Sequence, residues 1–334
     1  MAVPCDNNIS CRLCLITGAS GGVGRAVAKD LYAQGCGLAL TYLNNEEGIE
    51  GLVSELDSLW LSLHPPRRAL SSTALTAAVA EVSDEGVGAL SLGSGPTKSP
   101  PKISIHQADV SSPKDLTRVM SELSDYHGKQ GPDMLVSCAS FHPSDRPKIL
   151  DELDAVIRTA DEDHPSSASP ADPAAEQHEP DDLSTLETEI DAGADEWKET
   201  MSVNLRSNFI LARLVLPHML SRKWGRIVFI TGGEHESIHY QASKAGLAGF
   251  MRHLSNRVVS DGVTVNSVSP VFIRETGMLP KDLTETQLRE FERMIPAGRL
   301  GTPDEVANVV GMFLRTGFMT GQSVVLAGGI RYVG

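Results

Sequence analysis

The sequence lacks an apolar run of about 18 residues, so no segment has the composition of a membrane-spanning helix. It also lacks a basic or strongly apolar leader, because Asp6 precedes the first basic residue, Arg12. We therefore expect a protein without a membrane partner. We expect it to be cytoplasmic, with a mitochondrial location kept as the alternative.

Positive charge is in deficit, with a formal net charge of −14. The stretch from Asp151 to Glu196 contains sixteen acidic residues and one basic residue, Arg158, so the rest of the chain is close to neutral. A near-neutral body has no basic stripe for nucleic acid, and we expect no such partner. The acidic stretch is typical of a solvated, disordered excursion.

Cysteines are few, with five in the chain. An odd number without a secretory leader favours free thiols in a reducing compartment. The sequence Cys11-Arg-Leu-Cys14 has the C-x-x-C spacing of a metal or redox site, but no second pair follows and Cys14 falls in an apolar run. We interpret these residues as buried structural thiols and predict no metal.

Strand and helix patterns alternate along the chain. Strand patterns occupy Arg12–Thr17, Leu38–Leu43, Ile103–His106, Met134–Val136, Arg226–Ile230, Val263–Val268 and Ser323–Leu326. Helical spacing occupies Ala26–Gln34, Ile49–Trp60, Leu116–Leu123, Trp197–Leu220, Tyr240–Val259 and Glu305–Leu314. This alternation predicts an α/β protein with a single doubly wound parallel sheet (a Rossmann domain) of about seven strands.

Two stretches interrupt the alternation. The chain has 334 residues, more than the roughly 250 that one α/β domain needs. Residues 64–101 are of low complexity, and residues 143–195 contain the acidic excursion. We predict one nucleotide-binding domain over residues 12–334 with these two stretches as long loop insertions.

A glycine-rich turn, Thr17-Gly-Ala-Ser-Gly-Gly-Val-Gly24, joins the first strand to the first helix. Gly18 permits the tight turn, while Gly22 and Gly24 let backbone approach a pyrophosphate and let the helix pack on the sheet. The helix start then presents free N–H groups to the anion. The strand before the turn and the helix after it make this a strong dinucleotide-binding signal.

The spacing G-x-x-x-G-x-G resembles that of short-chain dehydrogenases/reductases, and the resemblance continues along nearly the whole chain outside the insertions. Its further motifs are Asp109-Val110, Asn204, Tyr240-Gln-Ala-Ser-Lys244, Pro270-Val-Phe-Ile273 and Gly321–Gly329. Within the family, Asn44–Glu47 and the C-terminal stretch look most like 3-oxoacyl-[acyl-carrier-protein] reductases.

The resemblance implies NADPH-dependent reduction of a carbonyl to an alcohol, with a 3-oxoacyl thioester as a plausible substrate. It assigns catalysis to Tyr240, Lys244 and Asn204, with Asn204 supporting Lys244 through a water. Tyr240 and Lys244 are also four residues apart on one helix, so their side chains face the same way. The resemblance further implies a small-molecule or acyl-thioester substrate and a homo-oligomer, either a tetramer or a dimer. The implied cofactor-binding residues are Gly18, Ser20, Gly22, Val23, Gly24, Tyr42, Asp109, Val110, Ala139, Tyr240, Lys244 and Ile273.

The end of the second strand favours NADP(H) over NAD(H). An acid there would bind the ribose and repel a 2′-phosphate. The position is Tyr42, and the nearest acid that follows is Glu46. Related reductases often have a basic residue that binds the 2′-phosphate, but in this chain Gly21 stands at that position.

Several departures from the family lie at the active-site rim. Gly232 stands where the family has its catalytic serine, and Thr231 and Ser237 are nearby hydroxyls. The family's Asn-Asn-Ala-Gly is replaced by Ser137-Cys-Ala-Ser140, and Val271 replaces a glycine. These changes favour the alternative of an NADP-binding protein with little or no turnover.

Two further segments bear on the site. The string His235-Glu-Ser-Ile-His239 fits the H-E-x-x-H of zinc proteases, but no third ligand is apparent and the string occupies a reductase loop. We interpret it as loop residues near the substrate. The segment Phe272–Arg299 follows a strand, and we predict that it forms a substrate lid.

Overall fold

The computed structural model describes residues 7–65, 99–128, 130–141, 194–232, 237–276, 288–289, 292–293 and 295–330. The two predicted insertions, residues 64–101 and 143–195, lie almost entirely outside these ranges. The division of residues 12–334 into one domain with two insertions therefore stays a prediction.

Seven parallel strands form one sheet. They are β1 (Leu13–Thr17), β2 (Gly37–Tyr42), β3 (Ile103–Gln107), β4 (Met134–Ser137), β5 (Gly225–Ile230), β6 (Val263–Pro270) and β7 (Ser323–Leu326). Their order is β3-β2-β1-β4-β5-β6-β7, with every pairing parallel. The strand order reverses between β1 and β4, which is where a crevice opens at the carboxyl edge of such sheets. The predicted doubly wound α/β fold is confirmed.

Helices cover both faces of the sheet. They are α1 (Gly22–Ala33), α2 (Glu46–Leu63), α3 (Pro113–His127), α4 (Ser207–Ser221), α5 (Ile238–Val258) and α6 (Pro303–Arg315). Helices α1, α2 and α6 pack in one hydrophobic core, and α3, α4 and α5 pack in the other. Successive side chains of β1 serve opposite cores, with Leu15 on one face and Ile16 on the other. None of the described helices is long and apolar enough to cross a bilayer.

The predicted helix Trp197–Leu220 runs without a break but contains a π-helical turn. A π-helical turn, Ser202–Arg206, lies immediately before α4 and contains Asn204, which is fully buried. A π turn inserts a residue into the helical ladder, which the three-to-four spacing of apolar residues does not reveal. The prediction of one long helix is confirmed, and the π turn is a feature that it did not include.

Helix starts lie a few residues before the predicted ones. Helix α6 begins with a capping box formed by Thr302 and Glu305, and Ser112 and Ser237 accept hydrogen bonds at the starts of α3 and α5. First turns are polar, so apolar periodicity alone sets the start of a helix too late.

Candidate active site

A cleft of about 470 Å³ opens at the carboxyl edge of the sheet. It contains all twelve residues predicted to bind the nucleotide: Gly18, Ser20, Gly22, Val23, Gly24, Tyr42, Asp109, Val110, Ala139, Tyr240, Lys244 and Ile273. It also contains residues that were not among those predicted to bind the nucleotide, including Asn45, Ser111, Ser140 and Phe141. These residues follow the carboxyl ends of β2, β3 and β4, and that position is the signal that could have found them.

Backbone contacts restrict the turn between β1 and α1 to glycine at Gly18, Gly22 and Gly24. Gly18 has φ +63°, and a Cβ there would lie 2.9 Å from the backbone N and Cα of Ala139. A Cβ on Gly24 would collide with the carbonyl oxygen of Gly18. Thr17 Oγ1 also accepts a 3.2 Å hydrogen bond from Ala139 N. The turn is therefore held directly against the chain leaving β4.

The start of α1 suits an anion. Helices α2, α3, α5 and α6 each have a side chain that accepts a hydrogen bond from the first turn, whereas α1 begins at Gly21 without one and has no acid in its first turn. Its first N–H groups carry the positive end of the helix dipole. The turn and the helix start thus fit the diphosphate of a dinucleotide.

The cleft residues at the carboxyl end of β2 carry no charge. Tyr42 ends the strand, is 8% exposed and contacts the cleft together with Asn45. Arg25 points away from the cleft, because its guanidinium donates to Glu55 and to the carbonyl oxygen of Gly48, both at 2.6 Å. Arg67 and Arg68, which follow α2, are outside the described residues.

Tyr240 and Lys244 face the same cleft from the first turns of α5. The two residues are 1% and 4% exposed. Lys244 Nζ lies 5.2 Å from the centroid of the Tyr240 ring and donates a 3.2 Å hydrogen bond to the carbonyl oxygen of Ile230. The two side chains lie on the same face of α5, as their spacing predicts.

Burial controls the charge of Lys244. Desolvation lowers the pKa of its ammonium to about 7, against a weaker opposing effect of Cys138. Burial also raises the pKa of the Cys138 thiol to about 12, so this neighbour is neutral near pH 7. Lys244 therefore changes between charged and neutral forms close to physiological pH.

Asn204 lies behind the cleft wall. Its Oδ1 accepts from Phe141 N at 2.8 Å and from Ser140 Oγ at 3.3 Å. Its Nδ2 donates to Phe141 O at 3.0 Å and to Ser243 Oγ at 3.1 Å. All its described side-chain hydrogen bonds go to these groups, and water-mediated support of Lys244 stays a prediction. Asn204 ties the chain leaving β4 to α5.

Gly232 occupies the place of the expected serine in a conformation that excludes one. Its φ is +86°, and a Cβ there would lie 2.5 Å from the hydroxyl oxygen of Tyr240. The two other candidate hydroxyls are used elsewhere. Thr231 Oγ1 donates to Val268 O at 3.1 Å, and Ser237 Oγ accepts from Tyr240 N at 3.3 Å as the cap of α5.

The H-E-x-x-H string is only partly described, because His235 and Glu236 lie outside the described residues. His239 stacks edge-to-face on Trp197, with ring centroids 5.5 Å apart. No group of three or more His, Cys, Asp or Glu side chains that could hold a metal occurs in the described part of the chain. Of the C-x-x-C pair, Cys14 is buried as predicted, whereas Cys11 is exposed and the prediction for it was wrong.

The start of the predicted lid, Phe272–Arg299, lies against the phosphate turn. A Cβ on Gly22 would collide with the carbonyl oxygen of Glu275. Phe272 and Glu275 both have positive φ, +51° and +58°, in the loop after β6. Much of the remaining segment is outside the described residues, so closure over a substrate stays a prediction.

Comparison with known proteins finds sequence similarity between this chain and reductases that act on acyl-carrier-protein substrates. A family model described as enoyl-(acyl carrier protein) reductase matches residues 183–331, which include Tyr240 and Lys244. A 3-oxoacyl-[acyl-carrier-protein] reductase of Pseudomonas aeruginosa is 40% identical over 143 residues, 41% of this chain and 57% of the relative. The corresponding proteins of Escherichia coli and Aquifex aeolicus are each 37% identical, over 42% and 40% of this chain and 59% and 56% of theirs.

The chain resembles the short-chain dehydrogenases/reductases. This resemblance, including the likeness to 3-oxoacyl-[acyl-carrier-protein] reductases, was predicted and is confirmed. The chain spans a little over half the length of these curated relatives. Against that reductase pattern, the glycine at position 232 is the main departure.

Restoring the reductase family's serine at position 232 should destabilise the fold. We expect Gly232→Ser to lower the free energy of unfolding by about 1–3 kcal/mol, because an L-residue is strained at this positive φ and its Cβ displaces Tyr240. Urea unfolding measures the change. Gly249→Ser, at an exposed position of α5 where a Cβ meets nothing within 4 Å, is the control. Equal stability of the two variants would contradict this account.

Lys244 should make stability depend on pH. The unfolded chain holds the lysine proton up to its ordinary pKa of 10.5, whereas the folded chain loses it near 7, so stability rises with pH between these values. We expect the free energy of unfolding of nucleotide-free protein to increase from pH 7 to 8.5 by up to about 1 kcal/mol per unit more than in Lys244→Met. Denaturant titrations at both pH values test this, and identical pH dependence in the two proteins would refute it.

Proposed function

We propose that the chain is an NADPH-dependent oxidoreductase that reduces a carbonyl to an alcohol, with a 3-oxoacyl thioester as its substrate class. One observation carries the proposal: a single cleft joins an anion-binding glycine turn to a buried Tyr240–Lys244 pair. The similarity to 3-oxoacyl-[acyl-carrier-protein] reductases of Pseudomonas aeruginosa and Escherichia coli supports the substrate class.

The residues divide the chemistry between them. When bound, the nicotinamide supplies a hydride for the carbonyl carbon. Tyr240 gives its hydroxyl proton to the carbonyl oxygen, so that the product is an alcohol. In its charged form, Lys244 favours the phenolate that Tyr240 becomes, since an ammonium nearby stabilises the anion. The glycine turn and the start of α1 hold the diphosphate and so fix the orientation of the dinucleotide.

The preference for NADPH over NADH rests on the neutral end of β2. Tyr42, Leu43, Asn44 and Asn45 all contact the cleft there, and none would repel a 2′-phosphate. Lys244 is the only lysine or arginine among the described residues that line the cleft. The preference for NADPH therefore rests on the absence of an acidic residue at the carboxyl end of β2. No basic side chain there is described that would bind the 2′-phosphate.

A second candidate function is nucleotide binding with little or no turnover. Gly232 supports it, because the family's serine is missing there and a side chain would be strained and would displace Tyr240. Loss of such a donor costs about 10²–10³ in rate in other enzymes. The two functions share the cleft and differ in whether a bound thioester is reduced.

Substitution of Tyr240 tests turnover directly. Loss of nicotinamide absorbance on mixing protein, NADPH and acetoacetyl coenzyme A would show reduction. We expect Tyr240→Phe to reduce kcat by at least about 10²-fold, because the proton donor is removed. The dissociation constant for NADPH should change less than threefold. Wild-type protein that binds NADPH without oxidising it would favour the second candidate, and protein that binds neither nucleotide would exclude both.

A base at position 21 should create the missing clamp. The backbone of Gly21 is extended (φ −82°), and a Cβ there has its nearest contact at 3.4 Å, so Gly21→Arg fits. We expect it to tighten NADPH binding about tenfold with little effect on NADH, because a charge-assisted hydrogen bond to phosphate forms. Calorimetric titration with both nucleotides measures this. Gly51→Arg, exposed on α2, adds the same charge elsewhere, and equal tightening by both variants would show only a general charge effect.

A further inference from the structure

Of the described serine and threonine side chains that neighbour or hydrogen-bond to Tyr240, Gly232 and Asn204, all but one lie outside the cleft. Besides Thr231 and Ser237, Ser243 Oγ donates to Tyr240 O at 2.7 Å and Ser269 Oγ donates to Gly232 O at 2.5 Å. None of these four residues contacts the cleft. The exception is Ser140, which contacts the cleft from the chain leaving β4 and stands where the family motif ends in glycine.

We propose that Ser140 donates a hydrogen bond to the carbonyl oxygen of the substrate, in the role for which Gly232 has no side chain. This inference rests on the proposed reductase function. It makes Ser140 a catalytic residue that the family pattern does not contain at this position.

The present partner of Ser140 is a weak one. Its hydroxyl donates to Asn204 Oδ1 at 3.3 Å, well beyond the roughly 2.7–2.8 Å typical of O–H···O bonds. Asn204 Oδ1 also accepts from Phe141 N at 2.8 Å, so it stays satisfied if the serine proton turns away. Rotation of the hydroxyl towards a carbonyl oxygen therefore leaves no buried acceptor unpaired.

The backbone of Phe141, the residue after Ser140, is tied to the helix of Tyr240. Asn204 Nδ2 donates to both Phe141 O and Ser243 Oγ, and Ser243 Oγ donates in turn to the carbonyl oxygen of Tyr240. This chain of hydrogen bonds joins the β4 exit to the first turns of α5. A donor on one side and Tyr240 on the other are thereby held at a fixed separation, which preorganised catalysis requires.

The proposed step conserves the serine proton. The hydride adds to the carbonyl carbon, the oxygen takes its proton from Tyr240, and Ser140 keeps its own proton throughout. Its hydrogen bond strengthens as negative charge develops on the oxygen, and that difference lowers the barrier.

Three variants test the proposal in the full chain. Ser140→Ala should lower kcat with NADPH and acetoacetyl coenzyme A by roughly 10²-fold, with the NADPH dissociation constant unchanged within about twofold. Ser140→Thr retains a hydroxyl and should stay within about fivefold of wild type. Ser140→Gly, the residue of the family motif, should behave as the alanine variant does. Equal losses in the threonine and alanine variants, or no loss in the alanine variant, would overturn the proposal.

A binding measurement covers the case without turnover. Calorimetry of acetoacetyl coenzyme A added to the protein with NADP⁺ should show about fivefold weaker binding for Ser140→Ala, the effect of one hydrogen bond. Unchanged thioester binding in Ser140→Ala would refute the role of Ser140 and leave the proposed reductase function unaffected. Wild-type protein that binds no nucleotide or no thioester would instead refute the proposed function, and the Ser140 proposal with it.

Discussion

The contact between the turn after β1 and the chain leaving β4 is the constraint on which the cleft depends. Gly18 lies so close to Ala139 that no side chain fits between them, and Thr17 adds a hydrogen bond to the same backbone. The start of α1, which is proposed to bind the diphosphate, is on one side of this contact. The chain from Phe141 through Asn204 to α5 is on the other. A shift at this one point would move both ends of the site relative to each other.

The contact also explains which parts of the site could be predicted from the sequence. A glycine required by backbone crowding leaves a visible mark in the sequence, and so do Tyr240 and Lys244, four residues apart on one helical face. The strand and helix patterns were sufficient for the fold because apolar periodicity reports burial directly. These signals are all local.

The features that the sequence did not reveal depend on contacts between distant segments. Neither the π turn that turns Asn204 inwards nor the direction of Arg25 towards Glu55 follows from residue spacing. The crowding at Gly232 is a similar case, because it comes from the hydroxyl of Tyr240, whose position depends on how α5 packs. The sequence motif identified the missing serine, but it could not show that a side chain at position 232 would overlap with Tyr240.

Cys138 shows what burial does to a thiol in the wall of such a cleft. Its pKa of about 12 keeps it almost entirely as thiol, although an ionisable amine is nearby. The thiolate is the form that attacks oxidants and electrophiles, so this half-buried cysteine should form sulfenic acid more slowly in the folded chain than in the unfolded chain. Local opening would return its ordinary acidity. Oxidation of Cys138 would then mark molecules whose cleft has opened, and the damage would follow loss of structure rather than precede it.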